Sequence, residues 1–306
     1  MLFIREAAID FQAMELKQYL AEAVRDVDAA MDGFLPKVDE RPETIHEAMR
    51  YCVFAGGKRL RPSLCIGAAE ACGGSRKNAL PAACAVELMH TYSLVHDDLP
   101  CMDDDDLRRG RATCHKVYGE GMAVLCGDAL LTEAFAVLAK SGGSERYQVG
   151  EMISELAAVG GSRKLIGGQV LDLEGEGKSL SIEELVRIHE AKTAALLVAS
   201  LRLGAMSANA NPMELEALTE YGYTLGLAFQ VIDDILDVTQ TTESLGKTAG
   251  KDEAVNKATY PSVIGLDESR DEAKKLTNQA LEALEPFGER CLKLREIAEW
   301  MLIREY

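Results

Sequence analysis

Two clusters of aspartate, each at the end of a long apolar stretch, constrain this chain more than any other feature. The first is Asp97, Asp98 and Asp103, running on through Asp104, Asp105 and Asp106; the second is Asp233, Asp234 and Asp237. Aspartate is a poor helix-interior residue, and a buried carboxylate is costly unless it is paired or metal-bound. Asp233 and Asp237 are spaced i, i+4, so on a helix they face one way. Pro100 disturbs the helix after Asp98, so Asp103 must reach the same region through a loop or turn. Two such clusters facing each other across a cavity make an oxygen-rich cage of the kind Mg²⁺ prefers, with water and phosphate completing the shell. Neither has the D-x-D-x-D-G order of a calcium loop. A run such as 103–106 taken alone is more often a solvated loop; two clusters with basic residues close by are harder to dismiss.

Helical patterns fill the rest of the chain. Apolar periodicity and punctuation predict helices over 7–31, 44–55, 62–71, 78–99, 122–140, 146–159, 182–206, 213–237, 253–266, 270–284 and 289–304. Ser181 with Glu184 forms a capping box. Asn211 followed by Pro212 gives an N-cap with proline in the first turn. Gly167 and Gly168 read as a helix interruption beside Gln169. No stretch alternates as a strand, and no repeat or linker divides the chain. One all-α domain over 1–306 is the expectation. Aromatic residues are only 6% of the 306, which favours helix over sheet.

Charge narrows the function. Lys and Arg number 33 against 50 Asp and Glu, a net charge of −17 with no basic face in view, so nucleic acid is not an expected partner. An acidic protein handling an anion needs local cations. Gly56 and Gly57 precede Lys58, Arg59, Arg61 and Pro62. The glycines let backbone approach a ligand, and Lys58 and Arg61 supply a point charge and a bidentate fork for phosphate. Alone, this would be a helix end followed by a basic surface turn; it is not a Walker loop. Arg108 and Arg109 follow the first acid cluster directly. Lys192, Thr193, Gln230, Lys247, Lys251 and Lys257 are further polar candidates, each with a bland reading as surface lysine, cap or core amide. His90 lies two helical turns before Asp97.

The eight cysteines, at 52, 65, 72, 84, 101, 114, 126 and 291, form no C-x-x-C pair, so no zinc site is expected and a reduced, cytoplasmic setting fits best. The apolar stretch 122–139 holds Asp128 and Glu133, and that around 196–206 holds Arg202; neither reads as a membrane span.

Eight segments carry a resemblance: GGKRLRP (56–62), ELMHTYSLVHDDLPCMDDDDLRRG (87–110), GDALLTEAF (127–135), GGQVLDL (167–173), HEAKTAAL (189–196), FQVIDDILD (229–237), LGKTAGKD (245–252) and KATYPSVIGL (257–266). Together they resemble the short-chain trans-polyprenyl diphosphate synthases, near the bacterial farnesyl diphosphate synthases. The resemblance implies a helical bundle, usually a homodimer, around a deep central cavity. It implies that Asp97, Asp103 and Asp233 hold Mg²⁺ (three ions with substrate bound, Mn²⁺ being the other candidate), with Asp98, Asp234 and Asp237 in support. By motif position, Gly57, Lys58, Arg61, His90 and Arg109 bind isopentenyl diphosphate. Arg108, Lys192, Thr193, Gln230, Lys247 and Lys257 bind the allylic partner, dimethylallyl or geranyl diphosphate.

Tyr92 lies five residues before Asp97, about 7.5 Å down the helix. In the family an aromatic residue there, with the two-residue insertion that matches Pro100 and Cys101, accompanies a farnesyl product. Farnesyl diphosphate synthase is therefore the first expectation, and geranylgeranyl or geranyl diphosphate synthase the alternative. Ala112 stands where the family commonly has proline, and the C-terminus differs from the usual basic ending. A terpene cyclase would lack GGKRLRP, a non-catalytic regulatory subunit on the same fold would have lost an acid cluster, and a two-metal phosphohydrolase would place histidine among its ligands.

Overall fold

The computed structural model describes residues 2–239 and 258–303. Helix α1 (Leu2–Phe34) presents Leu16, Tyr19, Ala23, Val27 and Met31 to the core at helical spacing. It is followed by α2 (Glu43–Val53), α3 (Leu60–Ala71) and α4 (Arg76–Asp97). Helix α4 is capped by Ser75, whose hydroxyl accepts from the Asn78 N–H at 3.3 Å, and its middle, from Ala82 to Met89, is continuously buried. Its neighbours are α3, α6 (Glu120–Leu138) and α10 (Ala195–Ser207), so the helix that ends in Asp97 runs through the centre of the bundle.

The long helix α11 (Pro212–Thr239) packs on α10 and carries the second acid cluster at its far end. Helices α7 (Val149–Gly160), α8 (Leu165–Gly175) and α9 (Ile182–His189) complete the wall. A short α5 (Cys114–Tyr118), α12 (Tyr260–Ile264), α13 (Leu266–Ala283) and α14 (Leu292–Ile303) close the sides.

The all-α expectation holds, with local corrections. The predicted helix 182–206 is broken by a π turn at Glu190–Ala194. Gly167 and Gly168 do not interrupt a helix; they lie within α8, where a side chain on Gly168 would overlap the Lys192 backbone. Gly168 thus serves close packing of α8 on the π turn, while a side chain on Gly167 would meet the Ser162 carbonyl. Helix α7 begins at Val149 rather than 146 because Glu151 reaches back to the Gln148 N–H at 2.8 Å. The predicted helix 253–266 is described only from 258; there the helix is Tyr260–Ile264, stopped by Gly265 at φ 95°. A two-residue hairpin pairs Leu107 with Ala112 and Arg108 with Arg111. Its turn residues Arg109 and Gly110 both take positive φ, as a tight hairpin requires.

Among the described residues, α6 is long and apolar enough to cross a membrane. It packs on α4, α2 and α5 and carries Asp128 and Glu133.

One buried ion pair ties the entry to the bundle. Arg59, in a left-handed conformation at φ 49°, donates to Glu87 Oε1 at 2.9 Å, Asp28 Oδ1 at 2.9 Å and the Val53 carbonyl at 2.6 Å. Arg59 and Glu87 are both 2% exposed. Removing one partner strands the other charge. Glu87→Ala is expected to lower stability by about 3–5 kcal/mol in urea unfolding, whereas Lys275→Ala, which breaks a surface pair with Glu272, should leave the midpoint unchanged.

Candidate active site

A cavity of about 660 Å³ opens beside the C-terminal half of α4. Its polar end is formed by Asp97, Arg61, His90, Gln169, Lys192, Thr193 and Asp233. Apolar residues share the lining, among them Leu99, Met102, Leu165, Val170, Leu196 and Phe229, and Tyr92 of α4 is part of it. Asp97 comes from α4 and Asp233 from α11, so the two acid clusters meet at one cavity.

Of the first cluster Asp97 lines the cavity and Asp103 is not among the lining residues; a chain reversal follows Asp97. The Asp103 N–H donates to the Asp97 carbonyl at 2.8 Å, and the Asp105 N–H to that of Asp98 at 3.2 Å. This folds Asp103 back beside Asp97. Burial pushes the Asp97 carboxyl from an ordinary 3.8 up to about 6; Lys192 opposes this rise and the Asp103 charge adds to it. Asp98 turns the other way, into a buried pairing with Arg108. Arg108 Nε donates to Asp98 Oδ1 at 2.9 Å, and the guanidinium also reaches Asp105 at 3.1 Å. Asp98 and Arg108 thus brace the loop and do not line the cavity.

In the second cluster only Asp233 lines the cavity. Asp234 is buried and accepts from the Tyr260 N–H at 2.9 Å and from Gln230 Nε2 at 3.1 Å. Its role here is to dock α12 on α11. Asp237 is buried one turn further on and is not among the lining residues. Gln230 accepts from the Thr193 hydroxyl at 2.9 Å, linking the π turn to α11.

The π turn itself places Lys192 and Thr193, adjacent in sequence, on the cavity together. Lys192 Nζ donates to Asp172 Oδ2 at 2.6 Å. Asp172 was not evident in the sequence. Its signal was there, since Gln169 and Asp172 are spaced i, i+3 on an otherwise apolar helix.

Of the residues expected to bind isopentenyl diphosphate, Arg61 and His90 line the cavity, whereas Gly57 and Arg109, which touch each other, are not among its lining residues. Arg109 donates to the Gly56 carbonyl, and a side chain on Gly57, at φ 120°, would sit 2.5 Å from its guanidinium carbon. Arg61 is enclosed; burial lowers its pKa to about 10, so it stays charged. Burial and then Arg61, Arg109 and Arg108 push His90 well below 6.5, so its imidazole is neutral. Lys58 lies 5.1 Å from the Trp300 ring centroid, a cation–π contact that brings α14 over this loop. Lys247 and Lys257 lie outside the described residues.

Two buried polar atoms at this cavity, Arg61 Nε and Gln169 Nε2, have no hydrogen-bond partner in the protein. Buried donors are normally satisfied. Donors of this kind, beside carboxylates that burial makes costly, fit an anion held together with hard cations: the class of enzyme that handles a diphosphate through metal-binding aspartates.

The polyprenyl synthetase family model matches residues 42–293, and the chain belongs to that family. It is 46% identical to a geranylgeranyl pyrophosphate synthase of Capsicum annuum, over 98% of this chain and 82% of that protein. Among solved structures it is similar to an FPP/GFPP synthase from Zymomonas mobilis, with TM-score 0.83 and 35% identity over 95% of this chain and 99% of that one. It is also similar to a geranyltransferase from Helicobacter pylori complexed with magnesium and isoprenyl diphosphate, with TM-score 0.82 and 32% identity over 94% and 97%.

An acid whose value in the fold lies above its unfolded value binds an extra proton when folded. In the metal-free protein the Asp97 contribution should therefore fall as pH rises from about 4 to about 6. The unfolding midpoint of the native chain relative to that of Asp97→Asn should fall as pH is raised across that window.

Proposed function

We propose that this protein elongates an allylic diphosphate with isopentenyl diphosphate and that its end product is geranylgeranyl (C20) diphosphate. The observation that carries the reaction class is the meeting of Asp97 and Asp233 at one cavity that also holds the unpartnered Arg61 Nε and Gln169 Nε2. The C20 product is supported by the similarity to the geranylgeranyl pyrophosphate synthase of Capsicum annuum. Farnesyl diphosphate, the first expectation from sequence, is kept as a second reading because the Tyr92 ring lies in the cavity wall, edge-on to His96 at 5.9 Å.

Asp97, Asp103 and Asp233 offer the hard oxygen ligands suited to Mg²⁺, which when bound would screen the diphosphate and stabilise the charge on it as it leaves. Lys192, released from Asp172, orients the allylic diphosphate from the π turn. Arg61, Arg109 and Lys58 hold the second diphosphate, with neutral His90 donating or accepting a hydrogen bond rather than repelling a cation. The allylic C–O bond breaks with its electron pair going to diphosphate. The double bond of isopentenyl diphosphate then attacks the allylic cation, and the proton it sheds passes to the departed diphosphate. Leu165, Leu196 and Phe229 surround the growing chain and keep out water, which would quench the cation. In this reading the enzyme works as a homodimer in the cytoplasm, a compartment that its eight free thiols suit.

Asp97→Ala and Asp233→Ala should each lower kcat/KM at least about 10²–10³-fold with unchanged helical circular dichroism; near-native turnover in either would sink the ligand assignment. Incubation with Mg²⁺, labelled isopentenyl diphosphate and geranyl diphosphate, followed by dephosphorylation, should yield geranylgeraniol. Farnesol would favour the second reading, and no elongation with or without EDTA would overturn both. If Tyr92 limits the chain, Tyr92→Ala lengthens the product; an unchanged distribution removes it as a stop.

A further inference from the structure

Three cysteines that the sequence keeps far apart converge behind the active site. Cys52 is near the end of α2, Cys114 opens α5 and Cys126 lies on α6. Their sulfurs all lie within 4.8 Å of one another, and Cys126 Sγ is 4.0 Å from Cys52 Sγ. The absence of a C-x-x-C pair therefore does not exclude a thiolate site, contrary to the expectation from spacing, because the ligands come from three separate elements.

The ordinary alternative is that these are small apolar core residues. Other buried cysteines behave that way. Cys84 and Cys291 turn their thiols to backbone carbonyls, at 3.8 Å from Val27 O and 3.4 Å from Leu284 O. The cluster differs, since its sulfurs turn to one another. The hydrogen bonds shared within the cluster lower the Cys114 thiol, with His115 helping, while they and burial push the Cys126 and Cys52 thiols up, so in the metal-free protein one negative charge settles on Cys114.

The geometry is that of a soft-metal site. With metal–sulfur bonds of about 2.3 Å, sulfurs in a tetrahedral or trigonal shell lie roughly 3.8–4.0 Å apart. Three thiolates favour Zn²⁺ or Cu⁺ over the hard Mg²⁺. Thiolates also need counter-charge. A small cavity of about 30 Å³ beside Cys52 and Cys114 is lined by Arg109, Arg111 and the Arg108–Asp98 pair, the nearest positive group to Cys114 is His115, and Cys52 is only half-buried, which leaves a way in.

We propose that Cys52, Cys114 and Cys126 form a three-thiolate site for a soft d¹⁰ cation, Zn²⁺ or Cu⁺. An ion there would cross-link α2, α5 and α6 and so fix the hairpin that carries Arg108 and Arg109. The proposal stands independently of the product or even the reaction assigned to the main cavity.

The test is a titration of the reduced, full-length protein in Mg²⁺ buffer with Cd²⁺ as a spectroscopic stand-in for Zn²⁺. A thiolate-to-cadmium charge-transfer band should saturate at one equivalent. It should be lost in Cys114→Ser and in Cys126→Ser and kept in Cys65→Ser. Displacement of Cd²⁺ by Zn²⁺ or, anaerobically, by Cu⁺ then identifies the preferred ion. Should a serine variant fail to fold, alkylation mapped by mass spectrometry on the native chain serves instead. Metal should protect Cys52, Cys114 and Cys126, while the exposed Cys101 is labelled throughout. No saturable band, a band retained in the folded Cys114→Ser variant, protection of other cysteines, or a Cys52–Cys126 disulfide in the freshly isolated protein would overturn the proposal.

Discussion

The charge of Arg59, buried among α1, α2 and α4, is the anchor on which the site rests. It neutralises Glu87 on α4 and takes up Asp28 from α1 and the last-turn carbonyl of Val53 from α2. Because Lys58 directly precedes it and Arg61 follows two residues on, holding Arg59 inward constrains both. The glycines at 56 and 57 then supply the positive φ angles that bring the chain under Arg109. A binding loop built on such a tether is already ordered before a ligand arrives, so little ordering cost remains at binding.

The acid clusters divide into residues that face the cavity and residues that hold those in place. Asp97 and Asp233 face it, while Asp98 is committed to Arg108 and Asp234 to Tyr260 and Gln230. A doubled aspartate is thus two functions on adjacent residues, which on a helix point about 100° apart. This is why one of each pair reaches the cavity and its neighbour reaches a different helix.

That division also marks what sequence can and cannot give. The helical class, the long central helix and the meeting of two acid clusters followed from periodicity and from the cost of burying carboxylates. The i, i+4 argument for Asp233 and Asp237 did not place both on the cavity, because a shared face on one helix says nothing about where the cavity ends. Gly168 was misread because a glycine that breaks a helix and one that admits a neighbouring backbone look alike until the neighbour is known. Asp172 and Trp300 were missed for a related reason: each acts on a residue far away in sequence, Lys192 and Lys58. Convergence of the three thiols is of the same kind, since no local spacing records it.

The π turn at Glu190–Ala194 has a wider consequence. A π turn is an α-helix carrying one surplus residue, so the helical faces before and after it are set in different phases. Helix α9 upstream is amphipathic and meets α8 and α12, while α10 downstream is buried nearly all round between α3, α4 and α11. A regular helix across 182–206 would impose one phase on both sets of neighbours. The surplus residue lets two packing problems be solved separately within one continuous rod, and the point where the phases change is where the rod presents its lysine and threonine to the cavity.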